Sequence, residues 1–391
     1  MRVVHVCAYF APAFVYGGPP RSVFELCRAQ QRAGADVRVV TTTANGDVEL
    51  DEAIIGRGEY EGIPVHYCER AWPRSIFHAP SLGAAVADAL RDADILHIHG
   101  LWNATVWAAA AAARQEQRPY LLSPRGMLAP AALEHDAWRK RLVYPITDRR
   151  VIRDAARLHA TSGTELADIE AMIGAGRAVY VPNGVDLPPM SNADPRVARQ
   201  QFGLPAGASI ILFLGRLHPI KRLDLLAAAF ARVRARYPEA HLVIAGPDES
   251  GHRAALAPLF TPFGSAVTWT GRVDDATKRR WLEAASALVM CSNAESFGMS
   301  VAEAMAAAKP VVVTRTCPWP DVESHGAGFW VEQAPDAIAH ALMTLIGEPV
   351  TADAMGRRGR SLIAARYSWS HVAAALLAEY DAIASPAACI A

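Results

Sequence analysis

The sequence lacks the features of a secreted or membrane-spanning protein. Its six cysteines are scattered and include no C-x-x-C pair, which indicates neither a disulfide framework nor a zinc site and predicts buried thiols in a reducing compartment. No run of eighteen apolar residues occurs, so no membrane-spanning helix is predicted. The apolar stretch after Met1 is too short for a signal peptide and is interpreted as a strand. We therefore expect a cytoplasmic protein.

The sequence also lacks an excess of charge of either sign. Lysine plus arginine and aspartate plus glutamate each number 39, which argues against nucleic acid as a partner and requires any anion site to be local. Apolar residues, in contrast, are plentiful. With 52% hydrophobic residues in a chain of 391, there is enough material for two buried cores, and two domains are predicted.

Short apolar runs alternate with stretches of helical period along almost the whole chain, which predicts parallel sheets with crossover helices. The predicted strands of the first half are residues 2–7, 37–41, 95–99, 120–122, 158–160 and 179–181. A turn-rich linker at 182–189 precedes a second half with predicted strands at 210–214, 242–245, 267–270, 287–291 and 311–314. Because open α/β sheets bind ligands at the carboxyl ends of their strands, two such halves predict a ligand cleft.

The strongest site signal is the stretch GRLHPIKR at 215–222, directly after a predicted strand and before a helix. Gly215 allows a ligand to approach the backbone, and the start of the helix directs free N–H groups and its positive end outwards. Arg216 and Lys221 add two cations, which can hold a diphosphate and stabilise its charge as a bond to it breaks. The alternative is two solvated basic residues beside a turn, and the position at the end of a strand favours the functional interpretation.

The second signal is the stretch ESFGMSVAEAM at 295–305. Ser300 and Glu303 have the spacing of a helix capping box, which gives Glu303 a structural explanation. Glu295 lies in the preceding loop, where a carboxylate can accept hydrogen bonds from sugar hydroxyls. The start of the helix also offers backbone N–H groups to an anion. These groups belong to Phe297, Gly298, Met299 and Ser300. The residues alone leave the two carboxylates undecided between a structural and a binding role.

Together the two stretches resemble glycosyltransferase family 4, enzymes of the GT-B fold that retain anomeric configuration. In that family an E-x7-E stretch contacts the donor, and Glu295 and Glu303 stand at its two ends. The resemblance implies that Glu295 binds hydroxyls of the transferred sugar and that Glu303 binds the nucleotide ribose. It also implies that Arg216 and Lys221 bind the diphosphate. Arg222 departs from the pattern, because the family usually has glycine there.

Four further donor or acceptor contacts are implied, with less specific motifs. Val273, in Gly-Arg-Val, matches the family segment whose backbone reads the base. Gly17 and Gly18 resemble the glycine loop near the donor phosphates, although a plain turn explains them equally well. His99 ends a predicted strand and is by itself as compatible with a core histidine; the resemblance implies a contact with the acceptor or the transferred sugar. Arg125 follows another strand and is either a surface arginine in a turn or a contact to an anionic acceptor or donor phosphate.

Asp92 and Asp94 form a D-x-D sequence, which metal-using glycosyltransferases often carry. They lie between a predicted helix and a buried strand, where acidic residues are usually only polar boundaries. No metal site is therefore predicted, and helix ends with two cations are expected to take the place of a divalent ion.

A basic, partly apolar stretch occupies residues 138–144 and 149–153. Such a segment is typical of peripheral contact with an anionic membrane leaflet. The alternative is a charged solvent face, which the interspersed Asp136, Asp148 and Asp154 favour.

The resemblance extends over nearly the whole chain. It implies two Rossmann-like domains facing across a cleft: an acceptor domain of residues 1–185, to which a C-terminal helix within 369–391 crosses back, and a nucleotide-sugar domain of residues 186–368. The implied activity is metal-independent, cofactor-independent, retaining transfer of a hexose from a UDP- or GDP-sugar to a glycan or lipid-linked saccharide, in surface polysaccharide biosynthesis. Two alternatives stay open: a nucleotide-sugar 2-epimerase of the same fold and an inactive donor-binding regulator.

Overall fold

The computed structural model describes residues 1–134, 144, 147–190, 194–248 and 251–385. The chain divides into two compact units, one formed by Met1–Gly184 with Trp369–Ala391 and the other by Val185–Ser368. Both contain a predominantly parallel sheet with crossover helices, so the predicted α/β class with two Rossmann-like domains is confirmed.

The first unit contains an eight-stranded sheet of order β10-β9-β8-β7-β1-β2-β6-β5 and a small β3-β4 pair. Its strands are β1 (Arg2–Cys7), β2 (Asp36–Thr42), β3 (Ala44–Asn45), β4 (Val48–Glu49), β5 (Gly56–Tyr60), β6 (Ile63–Cys68), β7 (Ile95–His99), β8 (Tyr120–Ser123), β9 (Arg157–Ala160) and β10 (Ala178–Tyr180). Its helices are α1 (Gly18–Arg32), α2 (Leu82–Leu90), α3 (Ala104–Gln115), α4 (Pro130–Glu134), α5 (Asp148–Asp154), α6 (Gly163–Ile173) and, from the C-terminus, α15 (Trp369–Ala384).

The second unit contains a six-stranded, fully parallel sheet of order β13-β12-β11-β14-β15-β16. Its strands are β11 (Ser209–Leu214), β12 (Ala240–Ala245), β13 (Val267–Gly271), β14 (Ala287–Met290), β15 (Val311–Thr314) and β16 (Gly328–Val331). Its helices are α7 (Pro195–Gln201), α8 (Leu223–Arg236), α9 (His252–Phe260), α10 (Asp275–Ala284), α11 (Met299–Ala306), α12 (Asp321–Ser324), α13 (Pro335–Gly347) and α14 (Pro349–Arg366).

The edge of the first sheet differs from the expected parallel arrangement. The strand β5 pairs antiparallel with β6 through a hairpin, and neither strand is predicted from the sequence. The reason is visible in β5, whose residues are all exposed or only partly buried and include no apolar run. An edge strand that buries little surface leaves no hydrophobic pattern to detect.

Strand order reverses at one point in each large sheet. β1 lies between β2 and β7, and β11 lies between β12 and β14. At such a switch point the loops that follow the two neighbouring strands diverge and leave a crevice at the carboxyl edge of the sheet. The loops after β1, β7, β11 and β14 flank the two switch points, whereas the motifs of Arg125 and Val273 follow β8 and β13.

The C-terminal helix α15 belongs to the first unit and closes one face of its sheet. Its buried face, which includes Trp369 and Tyr380, packs with Val3, Leu26 and Ile95 of that unit. This contact agrees with the crossing-back helix that the resemblance implies.

The residues of the proposed membrane stretch are only partly described. Positions 138–143 lie outside the described residues. On α5, the side chains of Arg150 and Arg153 both pair with Asp154, at 3.5 and 2.8 Å, which fits a charged solvent face. No helix in the described ranges is long and apolar enough to cross a bilayer.

Candidate functional site

The loop after β11 is held by a close approach of two backbone segments. The N–H of Gly215 donates to the Ala245 carbonyl at 3.0 Å, and the N–H of Leu217 donates to the Pro247 carbonyl at 2.9 Å. A Cβ atom at Gly246, whose φ is +153°, would lie 1.9 Å from the Gly215 carbonyl oxygen. Glycine is therefore required at 246 for the loop to rest on the end of β12. The sequence interpretation did not include Gly246, although a Gly-Pro pair directly after a strand marks it.

Lys221 and Glu295, predicted in separate motifs, form an ion pair in the structure. Their side chains are only 14% and 13% exposed, and the hydroxyl of Ser292 also donates to the Glu295 carboxylate at 2.8 Å. The two loops are further joined by the N–H of Asn293, which donates to the Ile220 carbonyl at 2.7 Å. Because charges that lose solvent must be paired, this contact fixes the loop after β11 against the loop after β14.

Arg222, the departure from the family pattern, has a structural explanation. Its φ of 52° and ψ of 46° are left-handed, and it is the N-cap residue of α8. Glycine adopts this conformation without strain, which accounts for the residue that the family usually has there. Here the guanidinium instead contacts the Asp224 carboxylate at 2.9 Å and the Asn293 side chain at 3.2 Å.

The capping-box explanation of Glu303 is wrong. The helix α11 begins at Met299, and Gly298, with φ of 85°, takes the N-cap position without any side-chain cap. Ser300 therefore lies inside the first turn, where its hydroxyl does not cap the helix. The carboxylate of Glu303 instead accepts a 2.7 Å hydrogen bond from the ammonium of Lys278 on α10.

Lys278 is the functional candidate that sequence reasoning missed, because no local pattern links it to a residue 25 positions away. Burial disfavours its charged form, yet the adjoining Glu303 carboxylate, with Asp275 at 3.2 Å, leaves its pKa raised. Glu295 and Glu303 are thus each held by a lysine through one oxygen. In the part of the chain that the structure describes, the second oxygen of each carboxylate accepts no protein hydrogen bond and is available to a hydroxyl.

The other predicted donor contacts lie close to the ends of strands or helices within each unit. Val273 is partly buried between β13 and the N-cap of α10. The main chain of Phe297 is anchored by the indole N–H of Trp319, at 2.5 Å. In the first unit Gly17 has φ of 81° and is the N-cap residue of α1, which begins at Gly18. A left-handed φ explains the glycine at 17.

Arg125 is not the surface arginine that the alternative interpretation describes. It lies partly buried after β8 and donates through Nη1 to the Ser22 hydroxyl at 3.0 Å and to the Asn183 side chain at 3.1 Å. Its Nη2 donates to His99 Nδ1 at 3.1 Å, whereas its Nε is buried and unpartnered within the described residues. Burial lowers the pKa of this guanidinium, and no described carboxylate forms an ion pair with it. Its hydrogen-bond partners are all neutral, and the nearby Glu165 carboxylate raises its pKa through space without forming an ion pair.

His99 lies at the end of β7, as predicted, but its ring is turned into the first unit. It is 5% exposed, and its two nitrogens contact Arg125 and, at 2.9 Å, the Nδ1 of His5. His5, His97 and His99 lie close enough together to be considered as metal ligands. Both nitrogens of His97 are, however, hydrogen-bonded, to Tyr380 at 2.6 Å and Ser123 at 2.7 Å. Hydrogen bonds account for the cluster without an ion.

The two aspartates of the D-x-D sequence have structural partners. Asp92 pairs with the guanidinium of Arg38 at 2.8 Å, which holds the pKa of this carboxyl below its usual range. The Asp94 carboxylate accepts from the backbone N–H of Arg2 at 2.7 Å. Asp92 therefore holds β2 through Arg38, and Asp94 holds the start of β1 through Arg2.

Comparison with known sequences covers both units. Residues 17–184 match the family described as "Glycosyl transferase 4-like domain", and residues 195–362 match "Glycosyl transferases group 1". The chain is 29% identical over 399 residues to a D-inositol 3-phosphate glycosyltransferase of Kineococcus radiotolerans, covering 93% of this chain and 90% of that protein. It is 28% identical over 398 residues to a phosphatidyl-myo-inositol mannosyltransferase of Mycobacterium leprae, covering 98% of each.

Solved structures share the fold at lower identity. The Anabaena HepE protein in complex with UDP and glucose superposes with a TM-score of 0.76 at 19% identity, over 98% of this chain and 100% of that one. A sucrose-phosphate synthase of Thermosynechococcus elongatus gives a TM-score of 0.77 at 21% identity, over 99% and 100%.

The buried histidines predict an acid-sensitive fold. Burial lowers the pKa of His5 and of His159 to about 4, whereas an unfolded histidine titrates near 6.5. The unfolded chain therefore binds protons first, and stability present above pH 6.5 is lost as the pH falls towards 4. Each such ring contributes up to about 1.4 kcal/mol per pH unit.

Urea unfolding at a series of pH values measures this effect between pH 6.5 and 5, above the range in which most carboxylates titrate. A His5→Gln variant should show a smaller slope than the unmodified protein. A free energy of unfolding that stays level or rises as the pH falls through this range would contradict the assignment of neutral, buried rings.

Proposed function

Because the chain belongs to the GT-B glycosyltransferases of the family 4 type, we propose that it transfers a hexose from a UDP- or GDP-sugar to a saccharide acceptor with retention of anomeric configuration. The observation that carries this proposal is the Lys221–Glu295 pair beside Gly215 and Arg216. This pair, with Arg216 in the same loop, supports a donor site at one switch point of the second unit, in which cations meet a diphosphate and a carboxylate accepts hydrogen bonds from sugar hydroxyls.

The diphosphate is assigned to Arg216, Lys221 and the start of α11. The loop after β11 carries the two cations, and α11 begins at Met299 with a glycine N-cap that provides no side-chain cap, so the N–H groups of Met299 and Ser300 can donate to a phosphate. Together they meet the charge that develops when the bond between the anomeric carbon and the diphosphate breaks. We propose that no divalent metal and no other cofactor is required.

The two carboxylates are assigned different parts of the donor. Glu295 accepts hydrogen bonds from hydroxyls of the transferred sugar, and Glu303 accepts hydrogen bonds from hydroxyls of the ribose. Each does so through the carboxylate oxygen that is not bonded to its lysine. The lysines hold both carboxylates in position before the donor arrives, which lowers the cost of ordering them on binding. Val273 and the Gly17–Gly18 turn contact the base and the phosphates.

The reaction proceeds on the leaving group's own face of the sugar. The acceptor hydroxyl oxygen forms a bond to the anomeric carbon, the bond from that carbon to the diphosphate oxygen breaks, and the hydroxyl proton passes to a phosphate oxygen. Glu295 is engaged with Lys221, which supports a hydroxyl-binding role over that of a covalent nucleophile. This route needs no protein-bound intermediate.

The acceptor is assigned to the first unit, beside Arg125 and His99. The guanidinium of Arg125 is half-buried, donates only to neutral groups and has no ion-pair partner among the described residues, which favours an acceptor with an anionic group. D-inositol 3-phosphate and phosphatidylinositol, named for the relatives, and lipid-linked saccharides of surface polysaccharide assembly are acceptors of this kind. We further propose that the protein acts in the cytoplasm with peripheral contact to the anionic leaflet.

Removal of either diphosphate cation should impair turnover. Arg216→Ala and Lys221→Ala each lose a charge-assisted contact that is strongest in the transition state, at a cost of about 2–4 kcal/mol. The rate at which UDP or GDP is released from UDP- and GDP-hexoses measures the effect. Arg357→Ala, which removes an exposed arginine 3.8 Å from Asp353, is the matched control. Near-normal turnover in a folded Lys221→Ala variant would show that the diphosphate binds elsewhere.

Turnover should survive metal removal, because protein groups meet the diphosphate charge. The same assay after dialysis against EDTA should give an unchanged rate. A rate that disappears and returns only with magnesium or manganese would require a metal site and would overturn this part of the proposal.

The product should keep the donor's anomeric configuration, so an α-linked donor gives an α-linked product. Glu295→Gln, which retains the shape and part of the hydrogen bonding, should be slowed less than Glu295→Ala. The anomeric proton of the product, assigned by NMR, measures the stereochemistry. A β-linked product from an α-linked donor, or a change of anomeric configuration in either variant, is incompatible with this mechanism.

A further inference from the structure

A continuous chain of eight hydrogen bonds runs through the interior of the first unit and ends on Arg125. Apart from Arg125 and a terminal backbone carbonyl, its members are buried side chains from β1, β7, β8, β9, α1 and α15. The bonded pairs are Arg125–His99 (3.1 Å), His99–His5 (2.9 Å), His5–Gln30 (2.8 Å), Gln30–Tyr380 (3.0 Å), Tyr380–His97 (2.6 Å), His97–Ser123 (2.7 Å), Ser123–His159 (2.6 Å) and His159–Val181 carbonyl (2.7 Å).

The far end of the chain fixes the direction of its last three bonds. The Val181 carbonyl can only accept, so His159 carries its proton on Nε2 and its neutral ring accepts at Nδ1. Ser123 must then give its single hydroxyl proton to His159 and accept from His97 Nε2. His97 is left with a bare Nδ1, which accepts from the Tyr380 hydroxyl.

The near end imposes the same direction independently. Arg125 can only donate, so His99 accepts at Nδ1 and donates from Nε2 to His5. His5 in turn donates from Nε2 to the Gln30 carbonyl oxygen. The two halves meet where the Gln30 amide donates to the Tyr380 oxygen, and all the donors and acceptors agree. Four neutral Nε2–H histidines are the outcome.

The surroundings favour these neutral rings. Burial, with a contribution from the Arg125 charge, lowers the pKa of all four histidines. Of the other titratable groups nearby, the Cys7 and Cys27 thiols have pKa values raised by burial and stay neutral. The Glu165 carboxylate accepts from Thr161 and the Gly126 N–H, at 2.7 and 2.6 Å, and forms no ion pair within the described residues.

We propose that Gln30 and Tyr380 are positioning residues of the acceptor site, which complete a one-directional hydrogen-bond chain that keeps His99 neutral and its Nδ1 turned to Arg125. The role of this hydrogen-bond chain at the acceptor site rests on the proposed function, whereas the existence and direction of the hydrogen bonds do not. An added proton anywhere in the chain would set a donor against a donor. The chain thus holds the guanidinium in place with a neutral acceptor and preserves its charge for an anion.

The histidine tautomers can be observed without any substrate. Long-range ¹⁵N–¹H NMR spectra of ¹⁵N-histidine-labelled full-length protein distinguish the Nε2–H, Nδ1–H and doubly protonated rings. Spectra of single His→Gln variants assign the signals. We expect Nε2–H signals from residues 5, 97, 99 and 159 at pH 7. An Nδ1–H or imidazolium signal from any of them overturns the proposed direction, whether or not the protein is a glycosyltransferase.

Reversal of one donor tests the role of Gln30. Gln30→Glu keeps the shape but replaces the amide donor, so the folded variant must bind one extra proton, either on the introduced carboxylate or on His97. Since an unfolded glutamate titrates near 4.3, the unfolding equilibrium constant of the variant relative to the unmodified protein should rise about tenfold per pH unit between pH 5 and 7. Gln31→Glu, on the same helix with an exposed bond to the Gly62 carbonyl, is the control and should show no such slope. Equal pH dependence of the two variants contradicts the proposal.

A third experiment tests whether the hydrogen-bond chain affects turnover. Tyr380→Phe removes the central hydroxyl, whereas Tyr67→Phe removes a buried hydroxyl bonded to the Ala11 carbonyl outside the chain. With inositol phosphate as acceptor, Tyr380→Phe should raise the acceptor KM several-fold and leave the donor KM unchanged, and Tyr67→Phe should change neither. An unchanged acceptor KM in a folded Tyr380→Phe variant, with transfer intact, would refute the positioning role. Absence of transfer in the unmodified protein would instead refute the proposed acceptor.

Discussion

The contact between Lys221 and Glu295 is the interaction on which the candidate donor site depends. It joins two loops that follow neighbouring strands at the switch point of the second sheet, and both side chains are largely withdrawn from solvent. Lys221 comes from one loop and Glu295 from the other, so the two loops together place a cation and a carboxylate side by side. The backbone approach at Gly246 and the anchored carbonyl of Phe297 hold the same edge of the sheet from either side.

The partly buried charges of the candidate site residues have different partners in the two units. In the second unit each motif carboxylate has a lysine, Lys221 for Glu295 and Lys278 for Glu303, so the charges are balanced before any ligand binds. In the first unit Arg125 donates only to neutral acceptors and forms no ion pair among the described residues, with the Glu165 carboxylate acting on it only through space. In general, a cation without an ion pair favours an anionic ligand, whereas a carboxylate paired through one oxygen can accept hydrogen bonds from hydroxyl groups through the other.

The sequence was sufficient for the α/β class and for strands with a continuous apolar pattern, such as 2–7, 95–99 and 311–314, which are observed with the predicted bounds. It failed for β5, whose exposed residues have no such pattern, and for the cap of α11, where a left-handed glycine displaced the expected serine. Lys278 and the members of the buried hydrogen-bond chain other than His99 and Arg125 were missed for a different reason. Their partners are distant in sequence, and one sequence contains no signal for a contact made only after folding.

The central claim is that Glu295 and Glu303 bind different parts of one nucleotide-sugar donor. Calorimetric titration of UDP and UDP-glucose, and of GDP and GDP-mannose, into the unmodified protein and its Glu→Gln variants tests it most directly. The account predicts that Glu295→Gln reduces the extra affinity for the nucleotide sugar over the nucleotide alone, and that Glu303→Gln weakens both ligands by the same factor. Equal losses from Glu295→Gln for nucleotide and nucleotide sugar, or no loss in either variant, would contradict it.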